Sequence, residues 1–304
     1  MKKQLPADSE VHYLTKQGFN SLVNENLYLD KVWLLKPKLN ETIAEIKAQK
    51  FDYIIDLHNN LRTFIIKTRC GVPSLSFDKL NFKKFLATQF KINKLPGVHI
   101  VDRYFDAVTK LGIKNDMEGL DYFTPTRPDI IFEKTGLKED MNFVTMAIGG
   151  QHNTKKMPVL KMMEIVAKSR VRVAILGGKE DVEIADLLEA SQPDKIIHLA
   201  GKLSLNESAG VVAISKGLVT HDTGMMHIAA ALKKPVIAIW GNTIPEFGMV
   251  AYYGNQTVFN KNFEVKELDC RPCSKLGYDK CPKGHFNCMN LQDTQAIAET
   301  LNNL

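Results

Sequence analysis

The chain has 304 residues, about twice the roughly 150 of a typical domain, so one small module is excluded and two domains are expected. Hydrophobic residues make up 44% and charged residues 24% of the sequence, which excludes a disordered tail or a membrane-embedded chain. The net charge of +6 suits anionic ligands or an anionic surface and does not require nucleic acid, so no nucleic-acid partner is predicted.

Short apolar runs alternate with helical patterns along the chain, which is typical of βα units wound into parallel sheets. In the first half, strands are predicted at residues 11–14, 31–35 and 53–57. Amphipathic helices are predicted at residues 39–50 and 101–111. In the second half, strands are predicted at residues 143–148, 171–176, 195–199, 217–220 and 235–240.

Residues 124–141 contain two prolines and show no clear period, so we interpret them as the connection between two domains. An N-terminal Rossmann-like domain is placed at residues 1–125, the connection at 126–141, and a second Rossmann-like domain at 142–290. Residues 291–304 have helical spacing and a capping residue at Asp293. We expect this last helix to pack back towards the N-terminal domain.

The most informative segment is residues 217–248, with the sequence GLVTHDTGMMHIAAALKKPVIAIWGNTIPEFG. A buried strand runs into His221-Asp222-Thr223-Gly224, and good helix formers follow at once. Such a turn presents backbone N–H groups and the positive end of the helix dipole, which suit a phosphate group. Gly224 lets a ligand approach the backbone closely. A simple helix cap by Asp222 or Thr223 is the alternative interpretation.

Two further features favour a ligand site over a cap. His227 lies three residues after Gly224, in the first turn of the helix, where it can face the same opening. The next strand ends in Trp240-Gly241-Asn242-Thr243-Ile244-Pro245, a second loop at the strand edge where open α/β sheets bind ligands.

The order of these motifs resembles glycosyltransferase family 9, the ADP-heptose:lipopolysaccharide heptosyltransferases. Beyond residues 222–245, the resemblance rests on four runs, which are Gly149-Gly150 with Thr154-Lys155-Lys156-Met157-Pro158, Leu176-Gly177-Gly178-Lys179-Glu180-Asp181, Leu199-Ala200-Gly201-Lys202-Leu203-Ser204-Leu205 and Cys270-Arg271-Pro272-Cys273. It covers most of residues 142–290, with a weaker match in the first half. Each motif alone is weak, whereas their combined order is specific.

The resemblance implies an α/β fold of the GT-B type, in which two Rossmann-like domains with parallel sheets face a cleft. It also implies an inverting sugar transfer without a required metal, from an ADP-heptose-like nucleotide sugar to a lipopolysaccharide inner-core acceptor on lipid A. The implied donor-binding residues are Thr154, Lys155, Lys156, Gly178, Asp222, Thr223, Gly224, Met225 and His227. Lysines and backbone N–H groups suit the diphosphate, while Asp222 and His227 suit the sugar and its leaving group. Solvated surface lysines are the alternative interpretation of Lys155 and Lys156.

The first half departs from the family pattern. Family members open with a strand, a Gly-Asp turn whose aspartate is the expected general base, and a helix, whereas residues 1–8 look like the end of that helix. We expect either roughly 20 to 30 further encoded residues carrying the turn or a version without the base. Asp56 is the best remaining acidic candidate, and a loop-ordering carboxylate is its alternative role. Without its usual base, the chain is expected to transfer sugar poorly, since such a base contributes roughly 10²- to 10⁴-fold.

Between residues 79 and 101 there are five lysines, three phenylalanines and no acidic residue. A solvated helix face is one interpretation. The resemblance favours contact with anionic lipid or with a phosphorylated lipid A core. We therefore predict Arg62, Lys83 and Lys84 as acceptor-binding residues. No run of about 18 apolar residues and no signal peptide is visible, so a cytoplasmic protein peripheral to the inner membrane is expected.

Cys270, Cys273, Cys281 and Cys288 follow the spacing C-x2-C-x7-C-x6-C. In a cytosolic chain this spacing can hold a structural zinc ion. A metal-free loop of small buried side chains is the alternative. Cys70 is separate and is predicted to lie in the core.

Three functional alternatives stay open. An enzyme on the same scaffold could use another sugar nucleotide, because the loops after residues 171–176 and 195–199 contain no motif that identifies the base. The chain could be a non-catalytic binder of nucleotide sugars or glycolipids that lacks the general base. A zinc-organised interaction module would explain the fewest residues.

Overall fold

The computed structural model describes residues 1–124 and 126–304. These residues form two compact units, of which unit 1 comprises Met1–Asn81 and Val98–Asp116, and unit 2 comprises Phe82–Gly97 and Met117–Leu304. Pro125, the predicted last residue of the N-terminal domain, lies outside the described residues. Residues 82–97 belong to unit 2 although they were placed in the N-terminal domain, because Ala87 and Leu95 pack against Ile244 and Phe247.

Strands and helices alternate as predicted. The described strands are β1 (His12–Thr15), β2 (Lys31–Leu34), β3 (Ile54–Asp56), β4 (Ser74–Ser76), β5 (Phe143–Ala147), β6 (Arg172–Leu176), β7 (Ile196–His198), β8 (Leu218–His221), β9 (Val236–Trp240) and β10 (Asn260–Glu264). The described helices are α1 (Leu39–Ala48), α2 (Leu61–Cys70), α3 (Asn81–Phe90), α4 (Ile100–Asp106), α5 (Pro128–Thr135), α6 (Val159–Lys168), α7 (Val182–Ser191), α8 (Leu205–Ile214), α9 (Gly224–Ala231), α10 (Asn287–Asn290) and α11 (Thr294–Asn302). No helix in these described ranges is both long and apolar enough to cross a bilayer.

In unit 1, the described strands form two separate two-stranded sheets. β1 pairs with β2 and β3 pairs with β4, in both cases in parallel. A small core made of α1 and α2 residues joins them, and Leu14 of β1 and Ile54 of β3 pack against it. Cys70 is buried in this core, which confirms its predicted position.

In unit 2, six parallel strands form one sheet in the order β10-β9-β8-β5-β6-β7. β5 and β9 are buried along their whole length, and alternate residues of each strand enter two different core clusters. Burial on both faces explains why these strands appear in the sequence as continuous apolar runs. The edge strand β10 was not predicted, because its sequence NKNFE is mostly polar and exposed.

One interpretation of unit 2 needs correction, and another is confirmed in part. The segment expected to be an irregular connection contains α5, whose Ile131 is fully buried. Pro128 is the first residue of this helix, where a backbone N–H would have no partner within the helix. Proline therefore starts a helix here and does not mark an irregular connection. The last helix, α11, is capped by Asp293 as predicted. Its buried face, including Ile297 and Leu301, packs on α6 and completes the unit 2 core. Packing of this helix towards the N-terminal domain stays a prediction.

Candidate functional site

Loops that follow four neighbouring strands of unit 2 carry the predicted donor residues. Parallel strands bring their carboxyl ends to one edge of the sheet, so these loops lie together. They are residues 148–158 after β5, 177–181 after β6, 221–224 after β8 and 241–245 after β9.

Lys155 and Asp222 form the first ion pair of this edge. Lys155 ends the short 3-10 helix Asn153–Lys155, and its Nζ lies 2.7 Å from Asp222 Oδ2. The Thr243 hydroxyl donates to the same oxygen at 2.8 Å. Asp222 is buried, so this carboxylate ties together the loops after β5, β8 and β9.

Lys156 and Asp181 form the second ion pair. Lys156 Nζ lies 3.0 Å from Asp181 Oδ1, and the other carboxylate oxygen accepts the backbone N–H of Gly178 at 3.0 Å. Asp181 is fully buried. Two consecutive lysines therefore reach two different loops, and their alternative interpretation as solvated surface lysines is wrong.

Asp181 is a site residue that was not predicted, although the sequence carries a signal for it. An added Cβ at Gly149 would lie 2.5 Å from Asp181 Oδ2, and one at Gly177 would lie 2.8 Å from Asp181 Cβ. The two strand-end glycines therefore make room for this carboxylate. A glycine just after each of the two strands β5 and β6, with an aspartate four residues after the second glycine, indicates a pocket for a buried carboxylate.

His221 is a second buried group for which no role was predicted. Its Nε2 accepts the backbone N–H of Met157 at 3.0 Å. Burial, reinforced by the charge of Lys156, lowers the pKa of His221 to about 4. The imidazole is therefore neutral at pH 7 and holds the loop after β5.

The start of α9 lies open beside the ion pairs. Within the described ranges, the Thr223 side chain does not cap the helix, and the Asp222 carboxylate faces Lys155 and Thr243 instead. The interpretation of these residues as a simple helix cap is therefore wrong. Gly224 is exposed, and Met225 and His227 are half-buried in the first helical turn.

Thr154 does not have the role that the resemblance implied. It is buried, its hydroxyl donates to the Tyr278 carbonyl at 3.0 Å, and it accepts the Tyr278 N–H at 2.8 Å. A hydroxyl has one proton to donate, so none remains for a diphosphate. Thr154 therefore anchors the cysteine-containing loop.

Arg271 fixes that same loop to the site. Its Nε donates to the Gly241 carbonyl at 2.6 Å and its Nη2 donates to the Thr243 carbonyl at 2.9 Å. The Cys273 N–H donates to the Asn242 carbonyl at 3.1 Å. In the described ranges, the buried side-chain amide of Asn242 makes no hydrogen bond, an unusual state for a buried polar group.

The four cysteines of the predicted cluster are free thiols. Cys270 Sγ is 3.9 Å from His285 Nε2, and Cys273 Sγ donates to the Cys270 carbonyl at 3.0 Å. Burial raises the pKa of Cys273 to about 11 and that of Cys288 to about 12. Among the described residues, the one group with three potential ligand atoms in mutual reach is Asp186, Glu189 and His198. Zinc at the cysteines stays a prediction, which elemental analysis of protein purified without chelators tests.

Asp56, the candidate base of unit 1, is held tightly by its own loop. Its Oδ1 accepts the N–H groups of His58 and Asn59 at 3.0 and 2.6 Å, and Lys67 Nζ lies 3.1 Å from Oδ2. Burial raises the pKa of Asp56, but the donors Asn59, Thr63 and Lys67 outweigh it and hold the pKa below its ordinary value. A weakly basic carboxylate that already accepts these bonds fits the loop-ordering role, and these contacts argue against a general base.

The predicted acceptor residues are divided between the two units. Arg62 is exposed in unit 1, beside a surface cavity of about 580 Å³ that Lys36 also lines. Lys83 is exposed in unit 2, and Lys84 Nζ lies 5.6 Å from the centroid of the Phe247 ring.

Comparison with known proteins gives consistent matches. Residues 40–278 match glycosyltransferase family 9 (heptosyltransferase). Lipooligosaccharide heptosyltransferase 2 from Haemophilus influenzae is 34% identical over 91 residues, which are 29% of this chain and 26% of that protein. Lipopolysaccharide heptosyltransferase 1 from Campylobacter coli is 23% identical over 271 residues, which are 79% of this chain and 78% of that protein. The chain thus spans about a quarter of the first relative's length and about three quarters of the second's.

Solved structures resemble the whole chain. A glycosyl transferase family 9 protein from Veillonella parvula aligns with a TM-score of 0.73 and 21% identity, covering 97% of this chain and 89% of that one. E. coli ADP-heptose LPS heptosyltransferase II aligns with a TM-score of 0.66 and 15% identity, covering 98% and 92%. E. coli heptosyltransferase WaaC with ADP aligns with a TM-score of 0.64 and 18% identity, covering 99% and 92%. The likeness confirms the predicted α/β fold of the GT-B type.

Proposed function

We propose that this chain, which belongs to glycosyltransferase family 9 (heptosyltransferase), transfers heptose from an ADP-heptose-like donor to a lipopolysaccharide inner-core acceptor, with inversion at the anomeric carbon. The observation that carries the proposal is the arrangement in unit 2 of two ion pairs, each between a half-buried lysine and a buried aspartate, beside the exposed start of α9.

The two lysines and α9 suit a sugar diphosphate. Negative charge grows on the departing phosphate during transfer, so donors that are already fixed in place stabilise it without reorganisation. Asp222 and Asp181 fix Lys155 and Lys156, and they also offset the charge of the lysines. The first N–H groups of α9, from Thr223, Gly224 and Met225, supply further donors.

Asp222 and His227 complete the proposed donor site, and Gly178, whose N–H donates to Asp181, supports the carboxylate that fixes Lys156. Asp222 stands between Lys155 and the start of α9, where a sugar hydroxyl can donate to its carboxylate. His227 follows in the first turn of the same helix. Because lysines and N–H groups already offer positive charge to the diphosphate, the proposed reaction requires no metal cofactor.

The acceptor side is proposed from charge. Arg62, Lys83 and Lys84 are the candidates for contact with phosphate groups of a lipopolysaccharide core. An acceptor of this kind is embedded in lipid, so the proposed location is the cytoplasmic face of the inner membrane.

Titration calorimetry with ADP, UDP and GDP tests the donor class. ADP is expected to bind most tightly, and tighter UDP binding would overturn the ADP-heptose assignment. His227→Ala is expected to weaken donor binding or transfer. Unchanged affinity and turnover in this variant would refute its place in the donor site.

A non-catalytic binder of nucleotide sugars is the second candidate, favoured by the tightly held state of Asp56. ADP binding without any heptose transfer would support it. Transfer by the same preparation would exclude it.

A further inference from the structure

Residues 82–94, which include most of α3 and the segment that follows it in sequence, form an exposed surface, called here the α3 surface. Phe82 is 71% exposed, Phe85 51% and Phe90 61%. Ile92 extends the same apolar patch at 45% exposure. Single exposed apolar residues are common, whereas several within eleven positions indicate an interaction site.

The opposite side of α3 is firmly attached to unit 2. Ala87 is 1% exposed and packs against Ile244 and Phe247. Lys91 Nζ donates to the carbonyls of Cys270 and Pro272 at 3.1 and 2.8 Å. On a helix, Phe82 and Phe85 lie on the side opposite Ala87. The helix therefore shows its large apolar side chains to solvent and buries a methyl group.

Positive charge surrounds these phenylalanines. Residues 82–94 include Lys83, Lys84, Lys91 and Lys94 and no aspartate or glutamate. A partner of this surface must therefore tolerate large apolar groups and attract cations at the same time. The boundary between the headgroups and acyl chains of an anionic bilayer has both properties.

We propose that the α3 surface is a membrane-docking element, in which Phe82, Phe85 and Phe90 enter the acyl boundary and Lys83 and Lys94 contact lipid phosphates. This inference deepens the proposed function and rests on it for the choice of a bilayer as partner. Since Ala87 packs on Ile244 and Phe247, next to the loop that holds Asp222, docking would place the donor loops at the lipid surface.

Co-sedimentation with vesicles tests the proposal, using phosphatidylcholine alone or with one third phosphatidylglycerol. The full chain is expected to bind only the anionic vesicles, and less as salt rises. Combined Lys83→Ala and Lys94→Ala is expected to weaken partitioning by roughly thirtyfold, from about 1 kcal/mol per lysine. Combined Phe82→Ser and Phe85→Ser is expected to weaken it clearly. Phe259→Ser and Lys168→Glu, exposed positions elsewhere in unit 2, are matched controls without effect.

A Phe85→Trp variant distinguishes insertion from surface attraction. Its added fluorescence is expected to shift to the blue on anionic vesicles, relative to the parent chain. Loss of binding in the lysine variant but not in the phenylalanine variant, with no shift, would overturn insertion. Absent vesicle binding, or binding of a poly-glutamate peptide in its place, would overturn the lipid assignment, the latter in favour of an acidic protein.

ADP titration of the same variants separates the two proposals. Normal ADP affinity with lost vesicle binding supports the α3 surface and leaves the donor site intact. Vesicle binding that depends on the α3 surface, in a chain that does not bind ADP, would refute the proposed donor and retain the docking element.

Discussion

The two units are built from the same parallel βα pattern but bury their strands to different degrees. In unit 2, β5, β8 and β9 are completely buried, whereas β1 and β2 in unit 1 are mostly half-buried. Unit 2 has one six-stranded sheet, while the described strands of unit 1 form two pairs. A two-stranded sheet is marginal on its own, because each strand has an unpaired edge.

The difference also governs what buried charges can do. In unit 2 the continuous sheet fixes four strand ends, so the Lys155–Asp222 and Lys156–Asp181 pairs can join separate loops. In unit 1 the buried carboxylate of Asp56 is used by its own loop and by Lys67. Buried charge thus joins several loops at a candidate site in unit 2, whereas in unit 1 it stabilises a single turn.

The largest expected effect comes from breaking the second ion pair. Asp181→Asn leaves the ammonium of Lys156 without its buried counter-charge, so we expect a loss of roughly 3 kcal/mol in the free energy of unfolding. Urea denaturation followed by circular dichroism measures it. Asp194→Asn, at an exposed position in the same unit, is the control and should change stability by less than about 0.5 kcal/mol. Equal effects of the two variants would contradict a structural role for the pair.

Removing the first ion pair should affect donor chemistry more than folding. Asp222→Ala is expected to lower the transfer rate, or donor affinity if transfer is absent, by roughly 10²- to 10³-fold. Kinetics with an ADP-heptose donor measure the change, with Asp194→Ala as the control. Wild-type turnover and affinity in Asp222→Ala would remove this residue from the site.

In unit 1, Asp56→Asn tests whether that carboxylate is structural. The folded-state pKa lies below the ordinary value, so ionised Asp56 stabilises the fold above the unfolded pKa, and this contribution is lost as pH falls through the folded pKa. At pH 7 we expect a loss of about 1–3 kcal/mol, which shrinks as the pH falls below about 4.

Asp52→Asn, at an exposed neighbouring position, is the control for that experiment. If the Asp56→Asn variant has unchanged stability and a shifted pH–rate profile for sugar transfer, Asp56 is instead identified as the general base.

The smallest expected effect is a difference in local opening between the units. Amides of β1 to β4 are expected to exchange with deuterium faster than those of β5, β8 and β9, because fewer buried contacts oppose their opening. Hydrogen exchange followed by mass spectrometry measures this difference directly. Equal protection in both units would show that the paired strands of unit 1 are as stable as the continuous sheet.

The sequence predicted the elements that are buried on both faces. The five strands predicted in the second half agree with β5 to β9 within one or two residues, since buried parallel strands are apolar throughout. β4 and β10 were not predicted. β4 has only the three residues Ser-Leu-Ser, and β10 is a mostly polar edge strand, so neither shows a continuous apolar run. α5 was not predicted because a proline pair is typical of a connection, whereas Pro128 is the first residue of a helix here.

The site was predictable as a motif but not as a set of contacts. Lys155 and Lys156 are neighbours in sequence, and only the fold shows that one reaches Asp222, 67 positions away, and the other Asp181, 25 positions away. The same holds for Thr154, whose hydroxyl is engaged by Tyr278, 124 positions away. Residue type gives the chemistry, whereas loop packing decides the partner.

The close fit of Asp181 against Gly149 and Gly177 has an evolutionary consequence. A side chain at either glycine would collide with the carboxylate group or with the Cβ of Asp181, so neither glycine can mutate first. A shorter residue at position 181 would open the space but would strand Lys156. The three positions and the lysine are therefore expected to co-vary among relatives, and lineages that lose the aspartate should become free to replace the two glycines.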